Sequence, residues 1–231
     1  MKNNTPYTLV DTAGQTTAVV DVPLPRSKQP AISKPIMKSI KDIGQVCFIE
    51  KGTRYPRLQM MGGELSVNGC AAGAFYWLKK MDLKFARFET SGDGLIIDVK
   101  LQNDSTKLRF PKQIIKSVNK NFVRLAGINY VIIENLSPNR RLTSGQKRLL
   151  IKVAGNQPAS GIIYFKKNNI IPLIYVKETN TFVWETSCGS GSIAYTLYSG
   201  RKLIRQPSGQ ILNISVSKKS ITYLTKCKML K

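Results

Sequence analysis

Short strand-like runs dominate the pattern of hydrophobic and polar positions along the chain. Residues 7–22 carry apolar stretches on both sides of Gly14-Gln15, which predicts a β-hairpin or a bent strand pair. Further β-rich runs are bounded by turn residues and lie at residues 45–50, 83–89, 94–101, 105–110, 121–135, 161–167, 170–178, 181–185 and 210–230. The last run is divided by a Ser-Lys-Lys turn into two strands. The spacing favours predominantly antiparallel pairing.

Helical patterns interrupt these strands at a few places. Ser33 predicts the N-cap of a short helix with Pro35 in its first turn, ended by Gly44. A later helix is capped at Thr143 or Ser144. Two more helices, over residues 67–80 and 189–200, have many small residues near their starts. These elements together predict an α/β fold of the α+β type.

The two small-residue helices follow similar turns. The first turn reads Glu64-Leu65-Ser66-Val67-Asn68-Gly69, and the second reads Glu185-Thr186-Ser187-Cys188-Gly189-Ser190-Gly191. Their separation by about half the chain predicts two similar lobes. We assign residues 1–112 to an N-terminal lobe, joined by the last strand at about 221–231, and residues 113–220 to a C-terminal lobe.

Length and hydropathy support a folded protein without a membrane span. The 231 residues suffice for two lobes, and a hydrophobic fraction of 42% is typical of a globular chain. No apolar run approaches the roughly 18–20 residues of a membrane helix. The start of the sequence lacks the apolar segment of a secretory signal, so we predict a cytoplasmic location.

The net charge of +23 raises the possibility of a nucleic-acid partner. The lysines, however, occur singly or in pairs, without a long basic block or an aromatic–basic RNA-recognition motif. This distribution favours a solvated basic surface over a nucleic-acid site. A surface of this charge still attracts carboxylate substrates.

The absence of histidine narrows the possible chemistry. It excludes a Ser-His or Cys-His pair within the chain, and the four cysteines form no CxxC metal pattern. Acid–base chemistry must therefore come from Cys, Glu, Asp, Lys or Tyr.

The paired turns are suited to proton transfer. A thiol at a helix N-terminus has its thiolate stabilised by the helix dipole, and the uncovered N–H groups that follow can bind a substrate carboxylate. Two facing turns would place two proton-transfer groups on opposite sides of one carbon, which suits inversion of a stereocentre. Other interpretations are that Ser66 is only an N-cap and that Cys188 is only a buried apolar residue. Cys70 lies one turn too late and is interpreted as a core residue, as are Cys47 and Cys227.

The segments "MGGELSVNG" and "ETSCGSGSIA" resemble the two catalytic cysteine turns of the diaminopimelate epimerase-like family of cofactor-independent amino-acid racemases and epimerases. The stretches "NQPASGIIYF" and "KETNTFVWETSCGSG" are most similar to the histidine racemase branch. The resemblance implies two pseudo-symmetric lobes, each a curved sheet around a central helix, with the active site between them. It also implies that neither pyridoxal phosphate nor a metal is required, and that a homodimer can form.

Carried over by position, the resemblance gives Cys188 as one catalytic base and Ser66 in the place of the other. It also implies substrate-binding residues. Gln15 and Gln59 stand near the places of family asparagines, and the others lie at the two turns: Val67, Asn68, Gly189, Ser190 and Glu185. The segments that diaminopimelate epimerases use around the distal part of their substrate have no counterpart. Histidine or another single-headed amino acid is therefore the expected substrate.

Ser66 is the main departure from the family pattern, because a hydroxyl is a far weaker acid than a thiol. Either Ser66 is natural, or it replaces a cysteine that was changed in the laboratory. A chain with Ser66 is expected to be impaired as a two-base racemase. The alternatives are an epimerase-like enzyme for another amino acid, or a non-catalytic protein that binds an amino acid or nucleic acid on the same scaffold.

Overall fold

The computed structural model describes residues 5–39, 43–134, 138 and 140–230. Within these ranges the four α-helices are α1 (Gln29–Ser39), α2 (Val67–Lys80), α3 (Ser144–Ala154) and α4 (Gly189–Ser199). The strands of the first half are β1 (Thr8–Thr12), β2 (Gln15–Val20), β3 (Ile43–Glu50), β4 (Arg57–Met60), β5 (Phe85–Thr90), β6 (Ile96–Gln102) and β7 (Ser105–Pro111). Those of the second half are β8 (Ile115–Asn119), β9 (Phe122–Leu125), β10 (Ile128–Glu134), β11 (Ala159–Lys166), β12 (Asn169–Val176), β13 (Thr181–Trp184), β14 (Leu203–Arg205), β15 (Ile211–Val216) and β16 (Ser220–Met229). Single 3-10 turns lie at Arg26–Lys28 and Lys112–Ile114.

The first half forms a closed barrel. Strands β1 to β7 follow one another in order, and β16 pairs with both β7 and β1 to close the ring. Helix α2 runs inside this barrel and packs against all eight strands. A helix enclosed on every side must be apolar and narrow. At Gly73 an added Cβ would lie only 2.8 Å from the Cys47 Sγ, which explains the small residues that begin this helix.

The second half repeats the arrangement of the first. Each half begins with an antiparallel hairpin (β1–β2 or β9–β10). An outer helix (α1 or α3) connects the second strand of the hairpin to a strand that pairs parallel to it (β3 or β11). The segment that connects the next parallel pair (β4–β5 or β12–β14) contains an inner helix, α2 or α4. The outer helices α1 and α3 each cover a separate apolar cluster, whereas α2 and α4 share the main core. The prediction of two pseudo-symmetric lobes, each a mainly antiparallel sheet around a central helix, is confirmed.

Strand β16 connects the two halves of the sheet. Its residues from Ser220 to Lys226 pair with β7, and Asn213–Val216 of β15 pairs with part of the same segment on the other side. Its last residues, Cys227 to Met229, pair with β1. The lobe boundaries 1–112 and 113–220, with 221–231 returning to the first lobe, stay a prediction.

Some predicted local elements were wrong. Helix α1 begins at Gln29 rather than at Ser33, whose hydroxyl donates to the Gln29 carbonyl from within the helix. Pro35 therefore lies inside α1, and Gly44 lies in β3 rather than at a helix end. The predicted N-cap failed because the same hydroxyl can bond the carbonyl of the preceding turn instead of a free N–H.

No helix in the described part of the chain has the length and apolar character needed to cross a membrane.

Candidate active site

Helices α2 and α4 begin with the same local geometry. Ser66 is the N-cap of α2, and its Oγ accepts a hydrogen bond of 3.0 Å from the backbone N–H of Gly69. Cys188 is the N-cap of α4, and its Sγ accepts one of 3.3 Å from the backbone N–H of Gly191. Both residues have extended backbone angles. The similarity noted in the sequence is therefore also a similarity of backbone and capping.

The two turns are packed against each other. The side chain of Asn68 donates to the Ser187 carbonyl over 3.0 Å, and its Oδ1 accepts from the Tyr223 hydroxyl of β16. Gly189 approaches so closely that an added Cβ would lie 2.7 Å from the Asn68 Oδ1 and 2.8 Å from a Val67 methyl group. A side chain at position 189 would push the two helix starts apart.

A narrow cavity lies between residues of the two halves beside these turns. It encloses about 20 Å³, which is room for about one water molecule. The described residues that line it are Gly44, Gln45, Met61, Glu64, Leu65, Ser66, Ile128, Tyr130, Ile174, Val176, Thr181, Val183, Glu185 and Ser190. The walls are mostly apolar, and the polar groups come from both turns.

Ser66 is held by a glutamine of the neighbouring strand. Its hydroxyl donates to the Gln45 Oε1 over 2.6 Å, and the Gln45 Nε2 donates to the Thr17 hydroxyl over 2.9 Å. Gln45 is buried in β3. The Ser66 oxygen therefore accepts from the helix and donates to a neutral amide, and neither contact can remove its proton.

Cys188 lies just behind the cavity wall. Its Sγ is 3.9 Å from the Tyr130 hydroxyl and 3.8 Å from the Ser190 hydroxyl, and both of these residues line the cavity. Burial raises the pKa of the Cys188 thiol well above its usual value, and the nearby Glu185 carboxyl raises it further. The hydrogen bond from the Gly191 N–H lowers the pKa of the thiol, but by less than burial and Glu185 raise it. The surroundings of Cys188 therefore favour the protonated thiol over the thiolate.

Two carboxyl groups face the cavity. Glu64 precedes Ser66 by two residues, is 4% exposed, and accepts a hydrogen bond of 3.0 Å from the backbone N–H of Gly62. Glu185 precedes Cys188 by three residues and is close enough for its charge to raise the pKa of the Cys188 thiol. Burial raises the pKa of each carboxyl to about 7, and the charge of Glu64 contributes to the shift at Glu185.

The predicted substrate-binding residues fall into two groups. Ser190 and Glu185 line the cavity, whereas Val67, Asn68 and Gly189 form the helix starts beside it. The first two N–H groups of each helix have no acceptor within the helix, as a carboxylate site requires, whereas the third is bonded to the capping side chain.

Gln15 and Gln59 are not among the residues that line the cavity. The Gln15 Oε1 accepts from the Thr186 hydroxyl over 2.8 Å and from its backbone N–H over 3.2 Å, which ties β2 to the second turn. Gln59 accepts from Arg57 over 3.0 Å and donates to the Met60 carbonyl over 3.1 Å. A substrate role for either glutamine stays a prediction.

Sequence reasoning missed Gln45, Tyr130, Gln206 and Tyr223. The Tyr130 hydroxyl is 2.7 Å from that of Ser190, and the Gln206 Oε1 accepts from the Cys188 backbone N–H over 2.8 Å. Gln45 and Tyr130 carried a weak signal, because each places a polar atom within an apolar strand. The hydrogen-bond partners of these residues could not be predicted, since they lie far away along the chain.

The other thiols lie in the apolar core. Cys70 and Cys47 are fully buried, and the Cys227 Sγ accepts from the Thr106 hydroxyl over 3.2 Å. Burial raises the pKa of Cys70 to about 12. Among the described residues, no three Cys, Asp or Glu side chains are grouped so as to hold a metal ion.

Comparisons with known proteins agree with this geometry. The family model of the histidine racemase CntK N-terminal domain matches residues 7–227. A histidine racemase of Fusobacterium nucleatum subsp. nucleatum is 31% identical, with 87% of this chain and 84% of that protein covered.

Two solved structures have a similar fold. An epimerase, described as predicted, from Pseudomonas aeruginosa has a TM-score of 0.67 at 11% identity, with 97% of this chain and 96% of that one covered. A protein described as a probable proline racemase from Agrobacterium radiobacter, with bound carbonate, has a TM-score of 0.63 at 10% identity, with 97% and 90% covered. At these identities the two structures show the fold alone.

Proposed function

The chain belongs to the histidine racemase CntK N-terminal domain family and is an amino-acid racemase, and from this premise we propose that its substrate is histidine. We further propose that the α-carbon is inverted in the cavity between the two capped turns, without a cofactor. Cys188 serves as one acid–base group, and position 66 provides the other. The observation that carries the proposal is the matched capping of α2 and α4 by Ser66 and Cys188.

The reaction requires one proton to leave the α-carbon and another to arrive on the opposite face. A base on one side takes the α-proton, and a thiol on the other side donates its proton to the resulting carbanion and becomes a thiolate. The total charge of the two groups is unchanged. Cys188 is suited to the donor role, since burial and the charge of Glu185 both raise the pKa of its thiol.

The substrate carboxylate is bound by the first-turn amides of both helices. The N–H groups of Val67, Asn68, Gly189 and Ser190 lie in the first turns of their helices, where they have no intrahelical acceptor, and the two dipoles favour negative charge at that place. The same amides stabilise the charge that moves onto the carboxylate when the α-proton is removed.

A substrate of histidine size must widen the cavity. An enclosed volume of about 20 Å³ cannot hold an amino acid, and the lining residues come from both halves of the chain. Separation of the two walls would admit the substrate, and their return would exclude water around the acid–base groups. A dry site strengthens the electrostatic interactions that proton removal from carbon requires.

Ser66 impairs this reaction. Its hydroxyl proton is directed at the neutral Gln45 amide, and the helix already uses the oxygen as an acceptor. No strong base is thereby formed at position 66. The same contacts favour a second candidate function, in which the natural chain binds an amino acid without inverting it.

Exchange of the α-proton tests both functions. The chain and the Ser66→Cys variant would be incubated with L- and D-histidine in D₂O, followed by NMR for loss of the α-proton and by chiral chromatography for inversion. Inversion by the variant supports the racemase. Binding without exchange in both proteins would establish the non-catalytic function instead.

Homodimer formation, a cytoplasmic location and the absence of a nucleic-acid partner stay predictions. Light scattering of the purified chain tests the first. A salt-dependent retention on polyanions, with the slope expected for several phosphate contacts, would contradict the last.

A further inference from the structure

The two carboxyl groups of the cavity have no partner of opposite charge. Of the described residues that line the cavity, none is Lys or Arg. The chain has 36 Lys and Arg residues against 13 Asp and Glu, so cations are abundant elsewhere. Glu50, by comparison, is also largely shielded from solvent and pairs with Arg26 at 2.8 Å.

An enclosed carboxyl without a cation is costly when it ionises. The cost of removing a carboxylate from water is several kcal/mol, and it is recovered only by a good partner or by holding a proton. Two such groups in one cavity cannot both ionise easily, which favours the retention of a proton by one of them. The raised pKa of both carboxyls agrees with this description.

The neighbouring titratable groups cannot supply the missing charge. Those whose charge would interact with the two carboxyls are the buried thiols and phenols Cys47, Cys70, Tyr130, Cys188 and Tyr223. A thiol or a phenol is either neutral or negative, so none of these groups can supply a positive charge to the carboxyls. A complementary positive charge would have to come from a ligand.

We propose that Glu64 and Glu185 recognise the imidazole ring of the substrate from two sides. The inference rests on the proposed function, since it concerns the side chain of the same substrate. Each carboxyl is delivered by one of the two paired turns, two or three residues before the capping residue, and both line a cavity whose walls are otherwise largely apolar.

Imidazole fits a carboxyl pair that shares one proton. A neutral ring has one N–H donor and one nitrogen acceptor, which complement one ionised and one protonated carboxyl. A protonated ring has two donors, which complement two ionised carboxyls. Both arrangements contain the same number of protons, so the ring is accepted in either form. The flat ring also suits the apolar walls formed by residues such as Ile174 and Val183.

Binding measurements on the chain itself test the inference without requiring turnover. Calorimetry would compare L-histidine with L-β-(2-thienyl)alanine, whose five-membered ring has a similar shape and no N–H group. The variants are Glu64→Gln and Glu185→Gln, and the matched control is Glu178→Gln, an exposed residue that removes the same charge outside the cavity.

We expect the unmodified chain to prefer histidine, and each cavity variant to lose roughly 10- to 100-fold of that preference, as expected for a lost hydrogen bond to a charged group. The Glu178→Gln control should keep the full preference for histidine. A purely structural effect would weaken both ligands equally and leave their ratio unchanged. An unchanged ratio in both cavity variants would therefore overturn the inference, as would the absence of histidine binding at millimolar concentration.

The proposed function fails separately from this inference. If the Ser66→Cys variant inverts histidine but the ligand ratio does not respond to either glutamate, the racemase stands and the carboxyl pair has no role in recognition. If histidine is bound through the glutamates but no variant exchanges its α-proton, the recognition stands and the racemase proposal fails.

Discussion

Replacement of Ser66 by cysteine is expected to restore a two-base reaction. The new thiol would occupy the N-cap of α2, where the oxygen now accepts from the Gly69 N–H over 3.0 Å. A positioned acid–base group contributes about 10²- to 10⁴-fold to a rate. We therefore expect Ser66→Cys to increase the rate of histidine inversion by about that factor, provided that the fold is preserved.

The structure indicates that the fold tolerates this change. Cys188 already caps α4 through its sulfur at 3.3 Å, so a thiol can perform the same capping at α2. The loss of a hydroxyl cap costs about 1 kcal/mol, which in a chain of this size shifts the melting temperature by about 2–4 °C. A much larger shift would show that the variant is damaged and would require the assay at lower temperature.

The isotope pattern gives a sharper test than the rate. With Ser66, the thiolate form of Cys188 is the one proposed base that can take the α-proton, so residual α-deuteration should be confined to one enantiomer and occur with retention. The double variant Ser66→Cys, Cys188→Ser has the same composition with the two groups interchanged, and its residual exchange should favour the other enantiomer. Ser66→Cys alone should exchange both. If the double variant exchanges the same enantiomer as the unmodified chain, the two turns do not face opposite sides of the substrate and our reasoning is wrong.

Three further predictions concern stability. Glu64 alone should lower the free energy of unfolding by roughly 3 kcal/mol between pH 4.5 and about 7, because its carboxyl keeps its proton in the folded chain up to about pH 7 and ionises near 4.5 when unfolded. Glu185 has the same raised pKa and should add to the decline. Urea titrations should therefore show a flatter pH profile for Glu64→Gln, and an equal slope would contradict the assignment. Gly189→Ala should lower the free energy of unfolding by about 1–3 kcal/mol and weaken histidine binding, because the added Cβ would lie 2.7 Å from the Asn68 side chain. Gly145→Ala is the control, since the nearest atom to its Cβ would be 3.8 Å away. By the same assays it should be neutral or slightly stabilising. Gln206→Ala should lower the free energy of unfolding in urea by about 1–3 kcal/mol, since it removes the acceptor of the buried Cys188 backbone N–H. A loss below about 0.5 kcal/mol would indicate that a water molecule replaces the amide as the acceptor.

The sequence was most informative where chemistry and local structure coincide. Ser66 and Cys188 were predicted as helix starts because each is followed by small residues in a repeated pattern, and both are N-caps. Thr143 was predicted as one of two possible caps, and it forms a capping box with Gln146. Such signals are contained within a few residues, so they can be recognised without knowledge of the tertiary structure.

What the sequence could not supply are the contacts between distant segments. The Asn68 side chain bonds Ser187, which is 119 residues away, and the Tyr223 hydroxyl bonds Asn68 over a separation of 155 residues. Closure of the barrel by β16 likewise joins the two ends of the chain. No local periodicity encodes these pairings, since they follow from how the two lobes pack.

Short or irregular elements were also missed. Strands β8 and β14 contain few residues, and β14 has only three. A run of that length has too few positions to establish an alternating pattern. The start of α1 was misplaced because Ser33 and Pro35 are typical of a first turn, whereas Pro30 occupies the first turn of this helix and Pro35 lies inside it.

The Glu185 carboxyl, which we propose to recognise the substrate side chain, also affects the acidity of Cys188, the proposed acid–base group. Burial is the main cause of the raised pKa of Cys188, and the charge of Glu185 is the next. Neutralising that charge should therefore lower the pKa of the thiol while its burial is unchanged. We expect the thiolate of Cys188 to form at lower pH in Glu185→Gln than in the unmodified chain, and Glu178→Gln to have no effect.

Thiolate formation can be followed by ultraviolet difference absorbance during a pH titration, with Cys188→Ser as the blank that removes the signal of interest. An imidazole N–H that donates to Glu185 should weaken the effect of that carboxylate on the thiol, in the same direction as the Gln substitution but to a smaller extent, because the ring is neutral at the pH where the thiol titrates. The titration should therefore also shift when histidine is present, and shift less with the thienyl analogue. In that case the substrate itself favours the thiolate by stabilising the carboxylate beside it. A thiol pKa that does not change in Glu185→Gln would show that burial alone controls Cys188 and would separate side-chain recognition from proton transfer.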